Sequence, residues 1–167
     1  QYCIWAFKGG TRVDRGLEVV LVPMKFDDLP LLLAWRQDRE VMSYLPSAPV
    51  SPTWENHTAW WRGRKDRSDW MVILSSLDGS NRPVGTTHYN WDTGEVGILI
   101  GEKVLWGKGV GREALRKTLD WIGAKNCWAV IHPDNIASQR VFGNNGFVWD
   151  DEMGRNGQRV YRRKARG

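Results

Sequence analysis

The stretch that most limits what this chain can become runs from Val96 to Asn135. A strand-like run, Val96-Gly97-Ile98-Leu99-Ile100, leads through Leu105-Trp106-Gly107-Lys108-Gly109-Val110-Gly111-Arg112 into the helix-like Ala114-Leu115-Arg116-Lys117-Thr118-Leu119-Asp120-Trp121-Ile122. Alternating glycines between a strand and a helix suit phosphate binding. Without Cβ atoms, consecutive N–H groups can converge, and the first helical turn adds N–H groups with no internal partner at the positive end of the dipole. Lys108 and Arg112 add mobile positive charge beside such a pocket. Gly109-Val110-Gly111-Arg112-Glu113-Ala114 also fits the dinucleotide pattern G-x-G-x-x-A, with Asp134 near the distance of a ribose-binding acid. In that pattern the glycines follow their strand at once and open the domain. Here Glu102 to Lys108 intervene and the unit sits in the second half of the chain, so the dinucleotide reading is the minor one. The plain alternative is a flexible glycine-rich turn.

A chain of 167 residues makes one domain with a full core, taken here as residues 17–167, with 1–16 as an N-terminal extension or extra edge strand. A hydrophobic share of 41% beside 26% charged residues is that of a soluble globular protein. No apolar run approaches a membrane span and nothing at the start reads as a cleavable signal, so a cytoplasmic protein without a membrane partner is expected. The chain begins at Gln1 rather than Met, which is consistent with a fragment. Cys3 and Cys127 lie far apart with no C-x-x-C neighbour, so neither a disulfide framework nor a zinc site is indicated, and Cys127 reads as core strand. The net charge of +5 suits a polyanionic partner, but apart from Arg62-Gly63-Arg64-Lys65 and the tail from Arg159 to Arg166 the basic residues are scattered. Such runs are usually solvated surface, and a small phosphate-rich ligand also accounts for the excess.

In chain order, Leu17 to Val22 reads as a buried strand stopped by Pro23. Asp27 or Asp28 caps a helix through about Glu40, with Pro30 in its first turn. The prolines of Tyr44 to Pro52 demand a loop, and Thr53 caps a second helix through about Arg64. Strands at Trp70 to Leu74, Val84 to Tyr89 and Glu95 to Ile100, joined by turns at Asp78-Gly79-Ser80-Asn81 and Trp91-Asp92-Thr93-Gly94, form an antiparallel meander. The strand Cys127 to Ile131, reached through the glycine loop and its helix, must run parallel to the strand before that loop. Asn135 opens a helix through Asn144, Gly146 ends it, and Phe147 to Asp151 pairs with Gln158 to Arg163 as a hairpin.

This order of elements, with the glycine loop after the fourth main strand, resembles the GNAT superfamily of acetyl-CoA-dependent N-acetyltransferases. Trp106-Gly107-Lys108-Gly109-Val110-Gly111 resembles the family's R/Q-x-x-G-x-G/A pyrophosphate loop, with Trp106 in place of Arg or Gln. Asn135 to Phe142 with Gly146-Phe147 resembles its N-x-x-S…G-F segment. Leu33-Ala34-Trp35-Arg36-Gln37-Asp38 and Ser138 look closest to the group that acetylates ribosomal-protein N-termini and nucleotide-linked aminosugars. The fold so implied is α/β of the α+β type: a mixed, mostly antiparallel central sheet with a parallel splayed pair, and helices on both faces.

The resemblance implies acetyl transfer from acetyl-CoA to a primary amine, without a metal. Leu99, Ile100 and Gly101 would offer strand-edge backbone to the pantetheine arm, Gly107, Lys108, Gly109, Val110, Gly111 and Arg112 would bind the diphosphate, and Asn135 would contact the pantetheine end. Glu95 stands at the offset of the general base, and a protonated amine must lose a proton; the competing reading is a surface glutamate beside a turn. His88 and Asp92 are reserve bases, and His132 reads as structural. Phe142 stands where many members carry a tyrosine that protonates the leaving thiolate, so Ser138 is the candidate donor, against a purely steric role for a small residue.

Among eleven tryptophans, Trp35, Trp54, Trp60 and Trp61 fall on helices that wall the acceptor site in this fold. Trp35 and His88 are the candidates for contact with an acceptor, and aromatic faces there would suit a cationic amine or a sugar. The acceptor is an amine-bearing small molecule or peptide N-terminus, and family habit points to a homodimer. Two other functions compete: a catalytically inactive acyl-CoA-binding module, and a nucleic-acid-binding domain using Arg62 to Arg67 and the basic tail. The last ranks lowest, because its basic runs lack interleaved aromatics, and no nucleic-acid partner is expected.

Overall fold

Two adjoining strands set the layering. In the computed structural model, which describes residues 17–45, 52–123, 125–154 and 157–164, β1 (Leu17–Pro23) pairs antiparallel with β2 (Arg67–Ser76), placing Val19 opposite Leu74 and Val20 opposite Ile73. Val20, Val22, Met71 and Ile73 pack on one face, and Val19, Val72 and Leu74 on the other. Both faces are covered, so these strands carry continuous apolar runs rather than alternating ones. β3 (Asn81–Asn90) and β4 (Val96–Ile100) complete an antiparallel sheet in the order β1-β2-β3-β4. The expectations placed on residues 1–16 and on the centre of the proline-rich loop, 46–51, lie outside the described residues.

Helices cover both faces, as expected. α1 (Leu29–Gln37), α2 (Arg39–Met42) and α3 (Trp54–Gly63) lie on one side, where Leu32, Trp35 and Val41 meet Met71 and Ile73. α4 (Val110–Ile122) lies on the other, with Val110 and Ala114 against Val19, Val72 and Val84, and Leu115, Leu119 and Ile122 against Trp70 and Val96. A second sheet, ordered β5-β7-β6, is made by β5 (Cys127–Ile131), β6 (Val148–Met153) and β7 (Arg159–Arg163), and α5 (Ile136–Gly143) connects β5 to β6. Cys127 is buried in the core, as expected.

The two sheets meet where β4 and β5 run parallel. Their pairing is one bridge, Glu95 to Trp128, with the Trp128 N–H donating to the Gly94 carbonyl at 3.1 Å and the indole Nε1 to the Thr93 carbonyl at 2.8 Å. The splayed parallel pair is therefore the joint between two sheets rather than a part of one continuous sheet.

Two helix boundaries differ from the sequence reading. The helix expected to run unbroken to Glu40 stops at Asp38, whose backbone is extended (φ −75, ψ 115) and whose Oδ1 accepts the Glu40 and Val41 N–H groups at 2.9 and 3.2 Å and starts α2. An aspartate competes for backbone N–H groups and so serves better as a cap than inside a helix. α4 begins at Val110 rather than Ala114, because Gly109, in the left-handed region at φ +84, is its cap. Thr53 caps α3 as expected, its Oγ1 accepting from the Asn56 N–H at 3.3 Å.

Candidate active site

The register of β4 leaves one of its edges open. The Asn90 N–H donates to the Glu95 carbonyl at 2.8 Å and the Gly101 N–H to the Val84 carbonyl at 3.0 Å, so residues 95, 97, 99 and 101 direct their backbone groups to β3. By alternation Ile98 and Ile100 direct theirs across the gap to β5. The Ile100 carbonyl accepts from the Trp106 indole Nε1 at 2.8 Å, so the residue standing in place of Arg or Gln pins the following loop to the strand end. In that loop Gly107 and Gly109 have φ +75 and +84, and no backbone or side chain crowds either Cβ position closer than 4.0 Å, so the backbone conformation alone calls for glycine. The first N–H of α4 to find a helical partner is that of Glu113, on the Gly109 carbonyl at 3.0 Å. The N–H groups of Val110, Gly111 and Arg112 thus lead the helix, with the Lys108 and Arg112 side chains exposed beside them. Gly111 sits against Ile98, Ile100 and Val141, which brings this helix end onto β4 and α5.

Between the diverging strands lies a cavity of about 260 Å³. Glu95, His88, Leu99, Asn135 and Ser138 all line it, so residues far apart in the sequence are brought together. Phe142 also forms part of the wall, buried edge-on to Phe147 at 5.0 Å between centroids. Ile100, Gly101 and the loop from Gly107 to Arg112 lie outside the cavity lining, toward the other end of β4. Asn135 caps α5, its Oδ1 accepting from the Ser138 N–H at 3.0 Å, while Ser138 Oγ has no partner among the described residues.

Trp35 is placed differently from the expectation. It is 5% exposed, does not line the cavity, and lies on Gly101 so closely that a Cβ there would enter the indole. Its Nε1 donates to Glu102 at 3.4 Å. Its role is to shape the end of β4 from behind. The faces of Trp60 and Trp61 are also occupied: the guanidinium groups of Arg36, Arg64 and Arg67 lie 5.1, 5.9 and 5.5 Å from the Trp60 centroid, and Arg64 lies 3.0 Å from that of Trp61. Asp92 is exposed in its turn and lies away from the cavity.

Three strands contribute a row to the cavity floor, Asp69 opposite His88 and His88 opposite Gly97. A Cβ on Gly97 would overlap the His88 ring, so this glycine lets the imidazole lie over β4. Desolvation, and then the Arg67 cation, push the His88 pKa down to about 3, which makes it a neutral hydrogen-bonding group rather than an ammonium-like one. Asp69 is bound by Arg67 at 2.9 to 3.2 Å and by Arg64 at 3.0 Å. His132 also lines the cavity, and its Nδ1 accepts the Asp134 N–H at 3.1 Å, leaving the proton of the neutral ring on Nε2. Tyr44 packs beside it, 5.5 Å between ring centroids.

Sequence reasoning missed Gly97, Arg36, Arg67, Asp69 and Tyr44 as parts of this site. Arg36 was legible only as a helix position and as part of the Leu33 to Asp38 segment that resembles the family, and Arg67 only as the end of a basic surface run; what no local pattern announces is that Arg67 turns inward with Arg64 onto Asp69 while Arg36 turns onto His57 and Trp60. Among the described residues no group of three or more histidine, cysteine, aspartate or glutamate side chains could hold a metal, and no helix is long and apolar enough to cross a membrane.

Comparison with known proteins agrees with this architecture. An uncharacterized protein of Methanocaldococcus jannaschii is 34% identical over 158 residues, covering 90% of this chain and 32% of that protein, so the chain spans about a third of the relative's length. The crystal structure of a domain from the same organism superposes with a TM-score of 0.82 at 33% identity, covering 87% of this chain and 97% of that one. The aminoglycoside acetyltransferase in complex with ribostamycin and coenzyme A superposes at TM-score 0.73 and 17% identity, covering 89% and 93% of the two chains. A ribosomal-protein alpha-N-acetyltransferase in complex with coenzyme A does so at 0.71 and 16%, covering 92% and 97%. Residues 18–148 match the acetyltransferase (GNAT) domain. With the strand edge, glycine loop and splayed joint of that fold all in place, this chain belongs to the GNAT acetyltransferase family.

Proposed function

We propose that the chain transfers an acetyl group from acetyl-CoA to the primary amine of a small molecule or peptide N-terminus. The observation that carries this reading is the convergence of Glu95, His88, Asn135 and Ser138 on one cavity beside the open edge of β4. The described residues suit the cosubstrate. Gly107 and Gly109 hold a backbone that leads into unpartnered N–H groups for a diphosphate, with Lys108, Val110, Gly111 and Arg112 around it, and Ile98, together with the N–H of Ile100, whose carbonyl is taken by Trp106, turns to the gap where a pantetheine arm would add as a strand. Leu99 and Gly101, expected to offer strand-edge backbone to the same arm, turn it to β3 instead; Leu99 lines the cavity and Gly101 makes room for Trp35. The Asn135 amide nitrogen has no partner among the described residues and can serve that arm while its oxygen caps α5.

In this reading Glu95 removes a proton from the acceptor ammonium, directly or through water. The freed amine attacks the thioester carbonyl, the C–N bond forms, the C–S bond breaks, and the thiolate leaves. Ser138 donates a hydrogen bond to the sulfur at that moment, in place of the family's tyrosine, whose position Phe142 fills. His88, held neutral, orients the amine, and Trp35 acts as a positioning residue behind Gly101.

Isothermal titration of acetyl-CoA into the purified chain, followed by thiol release against a panel of amines, tests this. Saturable binding with turnover on at least one amine is expected. Binding with no turnover on any amine would favour the inactive acyl-CoA-binding module, and absence of binding would sink the reading of the glycine loop.

A further inference from the structure

The acceptor end of the cavity carries more positive charge than its neighbours among the described residues neutralise. Arg67 rises from β2 and Arg36 from α1, and both line the cavity together with Trp60 and Asp69. Arg64 stands behind them. Asp69 is the carboxylate of this cluster, and it is already engaged by Arg67 through two oxygens and by Arg64 through one. Two guanidinium groups thus share one carboxylate, and that of Arg36 stands beside them without a share in it.

Arg36 is the informative member. Among the described residues it has no carboxylate partner: its contacts are His57 Nδ1 at 3.4 Å and the face of Trp60 at 5.1 Å. Arginine only donates, so the His57 ring must be neutral with Nδ1 accepting, and burial followed by the Arg36 charge holds the His57 pKa down. Burial and then the Arg67 charge likewise lower the pKa of Arg36 itself, whose neighbour Arg67 already has its counter-ion in Asp69. The connecting segment 46–51, Pro-Ser-Ala-Pro-Val-Ser, contains no acid that could supply one. A half-buried cation without a partner costs stability, and Arg36 is nevertheless held in place by a stack on one side and a histidine on the other. That is the preparation a site needs for a planar or tetrahedral oxyanion, to which guanidinium groups bind through paired N–H donors.

We infer that the acceptor is an amine that also carries an oxyanion, a carboxylate or a phosphate, which docks between Arg36 and Arg67 while its amine reaches Glu95. This rests on the acetyltransferase reading and names the substrate class within it. A polycationic amine meets the opposite electrostatics: the aromatic faces that would hold it are covered by arginine, and the cluster's one acid is spent.

The test uses matched amines in thiol-release assays with saturating acetyl-CoA: α-amino acids against their amides, amino-sugar phosphates against the free amino sugars, and spermidine as a polycation. Binding of the same compounds to the CoA-bound protein is read by titration, so the preference is measured with or without turnover. The anionic member of a pair is expected to show at least tenfold higher kcat/KM, or tenfold tighter binding. Which pair shows it distinguishes carboxylate from phosphate. Arg36→Gln should erase that ratio and Arg36→Lys should restore part of it. Both variants should keep the wild-type circular dichroism and melt no lower than a few degrees below it, because an unpaired cation is what they remove or shorten. Equal use of charged and uncharged amines, preference for spermidine, failure to bind any anionic amine, or an Arg36→Gln variant with an unchanged ratio would each overturn the inference. Failure of acetyl-CoA to bind at all would instead mark failure of the acetyltransferase reading.

Discussion

The imidazole of His88 lies across Gly97 on the neighbouring strand, in the volume that any side chain at that position would need. The pair sits at the centre of the cavity floor, between Asp69 and the open edge of β4. Gly97→Ala is therefore expected to displace the ring. Overpacking of this kind costs about 1–3 kcal/mol, and the catalytic consequence should exceed the stability loss, since His88→Gln in the same assay keeps the space open. Thermal melts and thiol-release rates on the two variants check it; wild-type turnover in the Gly97→Ala variant would refute the placement of His88.

The depressed pKa of His88 makes stability depend on pH in a defined direction. The folded-state value, about 3, lies below the ordinary 6.5, so the unfolded chain takes up the proton first as pH falls. Stability contributed by the neutral ring is fully present above pH 6.5 and is lost progressively on the way down to the folded value, at about 1.4 kcal/mol per pH unit for one such group. Urea denaturation at about pH 7 and about pH 5 should show a larger loss for the wild type than for His88→Gln, by about 2 kcal/mol. His57, whose pKa burial also lowers, acts with the same sign and remains in both proteins.

Glu95→Gln separates proton removal from binding. It keeps the size and the backbone bridge to Trp128 but cannot accept a proton. Loss of a positioned base lowers kcat/KM by about a hundredfold or more, and the deficit should shrink toward high pH, where the amine deprotonates in solution. The acetyl-CoA dissociation constant should stay unchanged. A pH-independent deficit would point to a positioning role instead.

Gly109→Ala probes the loop through its backbone. Nothing crowds the added methyl, so the cost is that of an L-residue at φ +84, about 1–2 kcal/mol. If the chain relaxes by turning that peptide, the N–H groups entering α4 lose their alignment and acetyl-CoA affinity should fall at least tenfold. Titration calorimetry reads that fall, and an affinity equal to wild type would remove the loop from the binding site.

Features that depend on neighbours along the chain were legible in the order of residues. Gly107 and Gly109 are needed where φ is positive, Thr53 and Asn135 cap the helices that follow them, and the apolar runs of β1 and β2 announce strands buried on both faces. A local misjudgement, the unbroken helix across Asp38, concerns a residue whose Oδ1 turns to the N–H groups just beyond it, and the pattern of apolar spacing is blind to that choice. Strand register decided the rest. Only the pairing of β2, β3 and β4 sets Asp69, His88 and Gly97 in one row, and only the packing of α1 and α3 on that face turns Arg36, Arg64 and Arg67 from surface charges into the wall of a cavity and its backing. Trp35, read as a candidate for acceptor contact, is drawn onto Gly101 by the same packing. Charge and hydrophobicity are properties of residues and can be read in order. Which side chains face one another across a sheet is a property of the fold, because it depends on contacts between segments tens of residues apart.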